Sequence, residues 1–199
     1  MHGVIFGAIV GVIVLALSFG ITYVLYHEDE KRDTDKKETM ENKTISEGSE
    51  EKILTSPLSG EFVLLEEVPD QVFSAGIAGK GVAIIPTVGK VVAPCDCEVS
   101  AIMDSGHAIA LHTSDGMDLL IHVGLNTVEL NGKYFEYKVS RGDKVKKGGI
   151  LMEFDIEGIK RAGYKLHTPV LIANPDDFSK IDVLEKKTVK AGDALIKII

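Results

Sequence analysis

From Ile53 onward, apolar residues recur in runs of four to seven, broken by Gly, Pro, Asn and Asp. The runs are EFVLLEEV, GVAIIP, KVVAP, EVSAIM, HAIALHT, DLLIHVG, YFEYKV, GILMEF, PVLIA and ALIKII. This spacing predicts an all-β domain, an antiparallel β-sandwich or barrel. Only DIEGIKRAG and NPDDFSKI read as short helices. The chain also echoes itself: VKKGGILMEF from Val145 resembles VKAGDALIKI from Val189, each a strand–turn–strand unit. Two copies are too few for a solenoid and suit a pseudo-symmetric sandwich.

Ahead of this domain the pattern changes twice. Residues 1–26 contain no Asp, Glu, Lys or Arg, and Val4–Tyr26 is almost unbroken apolar sequence. As a helix this stretch is ~35 Å long, enough to cross a bilayer core. A signal peptide would carry a basic n-region and a shorter apolar core, so the pattern predicts a retained transmembrane helix. Gly3, Gly7 and Gly11 give it a small-xxx-small face suited to close helix packing. Lys31, Arg32, Lys36 and Lys37 follow directly, which places the C-terminal side in the cytoplasm. Residues 27–52 hold 10 acidic and 6 basic residues and almost nothing apolar, the composition of a charged flexible linker. The expected organisation is a membrane helix at 1–26, a linker at 27–52 and a folded domain at 53–199.

Composition narrows the chemistry. The net charge of −8 and pI near 5.3 leave no basic stripe, so nucleic acid is not an expected partner. Cys95 and Cys97, one residue apart, cannot close an unstrained disulfide and are too few for a structural zinc site. They read as reduced thiols in a turn.

The polar residues that demand explanation lie in GHAIALHTSDGMDLLIHVGLNTVELNGKYF, residues 106–135. HAIALHT alternates, so His107 shares a face with Ile109 and Leu111, and His112 faces the other way. SDG is a turn signal. With a two-residue turn, His107 and His122 fall on one face of neighbouring strands, within reach of each other. Such a pair supports metal binding, acid–base work or phosphohistidine chemistry, and ordinary core packing remains open. In phosphohistidine chemistry one neutral imidazole is the nucleophile and the other stabilises phosphoryl oxygens. Ser105 can supply a hydroxyl beside them. A zinc hydrolase would require a third ligand.

These residues carry a family resemblance. LLIHVGLNTVELNGKYF resembles the active-site stretch of the glucose-type IIA domain of the bacterial phosphoenolpyruvate-dependent sugar phosphotransferase system. Residues 57–96 and 142–174 resemble its N- and C-terminal parts. NGKYFEYKVSRGDKVKKG is most similar to the IIA part of β-glucoside, sucrose and trehalose permeases, which often join IIB, IIC and IIA in one chain. The resemblance implies a barrel-sandwich hybrid built on a duplicated motif.

It implies further that His122 is phosphorylated through Nε2, that His107 stabilises the phosphoryl group, and that Ser105 belongs to the hydrogen-bond network around them. Val72, Phe73, Ile77, Met103 and Val128 match the apolar docking face, and Gly124 and Thr127 the turn after the nucleophile. The implied partners are HPr as phosphoryl donor and a IIB cysteine as acceptor, with the helix beside a IIC domain in the cell membrane. No cofactor is required. Zinc shared at a partner interface would use His107 and His122, which belongs to an alternative reading as a regulatory binding module. Two departures stand out: Asn126 replaces a common Asp, and CDC replaces a more usual V-D-G.

Overall fold

A computed structural model describes residues 51–199. The apolar segment 1–26 and the charged stretch up to residue 50 lie outside the described residues, and with them the expected membrane helix and nearly all of the expected linker. Among the described residues no helix is long and apolar enough to cross a membrane.

The alternating runs become strands, numbered here in chain order. One sheet has eight of them. Its order is β13 (Thr188–Val189), β2 (Gly60–Leu64), β3 (Lys80–Pro86), β11 (Thr168–Ile172), β7 (Asp118–His122), β6 (Ala108–His112), β5 (Cys97–Ile102) and β9 (Lys144–Val145). A second sheet places β14 (Ala194–Ile198) between β1 (Lys52–Thr55) and β12 (Ile181–Val183). A third places β10 (Ile150–Phe154) between β4 (Lys90–Val92) and β8 (Phe135–Tyr137). All pairings are antiparallel.

The internal echo is structural. Each copy starts as a two-residue edge strand of the large sheet, β9 or β13, and continues into the central strand of a three-stranded sheet, β10 or β14. Even the irregularity repeats. The ladder slips between Ile150 and Met152 opposite β4, and between Leu54 and Thr55 opposite β14. The pseudo-twofold passes between β7 and β11, where Val170 pairs with Ile121.

Alternation sorts the side chains into two clusters. Ile84, Ile109, Leu111, Leu119, Ile121, Leu151 and Met152 are fully buried in the main core. Each such side chain contributes roughly 1.5–3 kcal/mol on burial. A smaller cluster of Leu65, Val68, Phe73, Ala83, Leu125 and Leu171 forms separately.

Helix is scarce, as expected. DIEGIKRAG gives helix α2 (Ile156–Arg161), capped by the Asp155 carboxylate accepting from Gly158 N at 2.9 Å. NPDDFSKI forms only a 3₁₀ turn at Pro175–Asp177 before the chain extends, because its apolar residues are too few to bury a helix face. A short helix the pattern does not announce, α1 (Gln71–Ser74), sits between β2 and β3. Asp70 caps it, accepting from Val72 N at 2.9 Å.

Candidate active site

The hairpin β6–β7 holds the histidines in register that differs from expectation. The turn has three residues, Ser114–Gly116, closed by Thr113 N donating to Met117 O at 3.0 Å. Gly116 takes φ 88°, which lets the third residue of such a turn adopt the left-handed region. The extra residue shifts the pairing by one, so Ala108, not His107, stands opposite His122. The two imidazoles meet nonetheless. His107 lies just outside β6, where strand alternation no longer dictates its direction. The ring centroids are 4.6 Å apart and inclined at 75°.

Both rings are enclosed, His107 at 3% and His122 at 8% exposure. Phe73 of α1 stands edge-on to His122 with centroids 5.2 Å apart. Burial holds both imidazoles neutral, His122 down at about 4 and His107 at about 3, the latter helped by its neighbouring ring. Desolvation penalises the charged form of each.

Hydrogen bonds select the ring atoms. His122 Nδ1 lies 2.8 Å from Gly124 O. A carbonyl only accepts, so this nitrogen carries the proton and Nε2 keeps its lone pair. Gly124 serves this bond by its shape. It takes φ 77°, and a Cβ there would meet Thr127 Cγ2 at 2.6 Å and Lys165 O at 3.0 Å. The loop is held by Thr127 Oγ1 donating to Val123 O at 2.6 Å and Leu125 N to Lys165 O at 2.8 Å. His107 Nδ1 is 2.7 Å from Ser105 Oγ. Each histidine therefore has Nδ1 engaged and Nε2 uncommitted to any described protein group.

The structure thus brings together His107, His122, Ser105, Phe73, Gly124 and Thr127. Phe73 is a buried wall of the site, while Val72, Met103 and Val128 are half-buried and Ile77 is 75% exposed. His112 belongs elsewhere, its Nδ1 2.6 Å from Asp118 Oδ1. Near it, Glu98, Ser114, Lys144 and Val145 line a cleft of about 350 Å³ that shares no residue with the imidazole pair. Asn126 is exposed and begins the 3₁₀ turn Thr127–Leu130 at φ 59°, a left-handed conformation that Asn tolerates well. Burial pushes the Cys95 and Cys97 thiols up to about 12 and about 11, so neither is a ready nucleophile or ligand. Among the described residues, no group of three or more His, Cys, Asp or Glu could hold a metal ion.

The pattern alone did not reveal the roles of Phe73 and Tyr137. Asp70 before an apolar run was the available signal for the helix that delivers Phe73. Nothing local links Tyr137, whose hydroxyl donates to Ala108 O at 2.5 Å, to a turn 29 residues upstream.

Comparison with known proteins gives a consistent result. Residues 52–178 match the family described as phosphoenolpyruvate-dependent sugar phosphotransferase system, EIIA 1. A β-glucoside-specific EIIBCA component of Bacillus subtilis is 41% identical over 187 residues, covering 94% of this chain and 30% of the relative. A glucose-specific EIIA component of Staphylococcus epidermidis is 38% identical over 141 residues, 71% of this chain and 85% of the relative. The glucose permease IIA of Mycoplasma capricolum superposes with a TM-score of 0.71 at 27% identity, covering 75% of this chain and 96% of that one. The chain spans less than a third of the length of the EIIBCA relatives.

Proposed function

This chain belongs to the EIIA 1 family of the phosphoenolpyruvate-dependent sugar phosphotransferase system, and from that premise we propose that it is a phosphocarrier with His122 as its phosphorylated residue. The observation that carries this reading is the Gly124 carbonyl on His122 Nδ1, which leaves the Nε2 lone pair as nucleophile. A neutral buried imidazole needs no base to activate it near pH 7.

The relay has two steps. The Nε2 lone pair attacks phosphorus on phosphorylated HPr, an N–P bond forms, and the bond to the donor breaks with its electrons returning to HPr. A cysteine thiolate of a IIB domain then attacks the same phosphorus, and the His122 N–P bond breaks with its electrons returning to Nε2. His107 supports this when Ser105 donates to its Nδ1, because Nε2–H then points a donor at the phosphoryl oxygens. Positioning and charge stabilisation supply the catalysis. Val72, Ile77, Met103 and Val128 present apolar surface for HPr and IIB, with Phe73 shaping the wall behind His122. The matching halves of the large sheet support a duplicated hybrid motif as the scaffold.

The remaining sequence supports a membrane setting. The alignment with the B. subtilis permease takes in 187 of the 199 residues, so it reaches into the apolar segment 1–26. We read that segment as a membrane helix beside a IIC domain, with the IIA domain on the cytoplasmic side.

The pair of uncommitted Nε2 atoms also favours a second reading, a regulatory module that shares zinc with a partner. His107 and His122 would supply two ligands, and the partner the rest.

Incubation of the chain with labelled phosphoenolpyruvate, the general phosphotransferase enzyme and HPr tests the relay. Acid-labile, base-stable label on the wild type and none on His122→Ala is the expected outcome. No label while HPr itself is charged would overturn the phosphocarrier reading.

A further inference from the structure

We infer that Tyr137 is a positioning residue for His107, fastening the turn that presents this imidazole to His122. The inference rests on the proposed role of the histidine pair. Ser105 and His107 both ride on the turn 103–108 between β5 and β6. At its base the turn is closed by the Ala108 carbonyl, which accepts from Met103 N at 3.2 Å, and inside it Gly106 N donates to Met103 O at 2.8 Å. The Ala108 carbonyl also accepts from Tyr137 Oη at 2.5 Å. Ala108 is also the residue paired with His122 across the hairpin. The phenol therefore pins the backbone at the point where the two imidazoles converge.

Tyr137 reaches this point from another sheet, because β8 pairs with β10 and not with the strands that carry the histidines. Its segment makes two further contacts with the same turn. Gly132 N donates to Ser105 O at 3.0 Å. Phe135 lies so close that a Cβ on Gly106 would stand 2.9 Å from its own Cβ. Residues 132–137 thus form a template against which the Ser105–His107 turn is moulded. Burial pushes the phenol up to about 12, so it remains protonated and donating at neutral pH. The hydroxyl touches no reacting atom, and its effect passes through His107.

Tyr137→Phe in the full chain separates this role from simple packing, because the ring stays in place and Ala108 O keeps its bond from Met103. Two readouts apply. The first needs no partner: ¹⁵N-edited NMR of the imidazoles should show the His107 nitrogens shifted or broadened in Tyr137→Phe, with those of His112 and His167 unchanged. The second follows transfer. Donation from His122 to a IIB domain should slow about 3- to 10-fold, the scale of one neutral hydrogen bond, while acceptance from HPr stays within about two-fold of wild type. Tyr137→Phe should add no further loss to His107→Gln.

Unchanged His107 signals would overturn the inference, as would equal slowing of both transfer steps or losses that multiply in the double variant. A wild-type chain that takes no phosphate at all would instead refute the phosphocarrier reading, and the NMR result would still judge the contact between Tyr137 and the turn.

Discussion

Lowering the pH from 7 to 5 should cost the folded domain about 4 kcal/mol through its two buried imidazoles. The sign follows from which state takes the proton. A free imidazole titrates near 6.5, whereas burial holds His122 at about 4 and His107 at about 3. Between those values and 6.5 the unfolded chain binds protons that the folded chain refuses. Stability is therefore complete above the unfolded value and falls as the pH falls through the window. At pH 5 each ring lags the unfolded state by about 1.5 pH units, or about 2 kcal/mol. Exposures of 3% and 8% leave little solvent to screen the effect. The sum is a large share of the 5–15 kcal/mol typical of a domain. The exposed carboxylates Asp96 and Glu153, held below their usual range by lysine partners, contribute only at more acid pH. Urea unfolding at pH 7, 6 and 5, followed by circular dichroism because the chain has no Trp, measures the loss. His107→Gln and His122→Gln should each remove about half of it. A wild-type loss below about 1 kcal/mol, or one unchanged in the double variant, would refute the burial argument.

Further outcomes follow from the same geometry. His107→Gln should still accept phosphate from HPr while donating it more slowly, and equal loss of both steps in quenched-flow transfer would count against its stabilising role. Phe73→Ala should cost about 3 kcal/mol in denaturant unfolding and, by admitting water, move the His122 titration upward from about 4 in NMR; an unmoved titration would mean that Phe73 does not shield the ring. Asp70→Ala, which removes the cap of α1, should cost about 1 kcal/mol and loosen Phe73 against His122. Gly124→Ala should disturb the loop that carries the Nδ1 acceptor, with loss of phosphorylation well beyond the loss of stability, and normal labelling of a stable variant would contradict the packing argument.

Much of this architecture is written in period-two alternation. HAIALHT and DLLIHVG became β6 and β7 because their apolar positions demand a buried face, and each V-K-x-G echo marks the glycine turn that leads from a two-residue edge strand into a central strand. The histidine pair was legible through a flawed route. A two-residue turn would have placed His107 and His122 on one face, yet the real turn has three residues and the alternation argument alone would separate them. They meet because His107 stands beyond the strand end, where tertiary contacts override period. The Gly124 bond to His122 needs only two residues of separation, so the motif contains it. The Tyr137 bond to Ala108 and the Phe73 edge on His122 span 29 and 49 residues, and no local pattern encodes such contacts. NPDDFSKI failed as a helix since propensity there had no packing face to reinforce it.

The most direct test of the account is which nitrogen of His122 takes the phosphoryl group. The chain, labelled with ¹⁵N in its imidazoles and phosphorylated through HPr, should show nitrogen–phosphorus coupling at His122 Nε2, with Nδ1 still protonated against the Gly124 carbonyl. Coupling at Nδ1, or at any histidine other than His122, would contradict it.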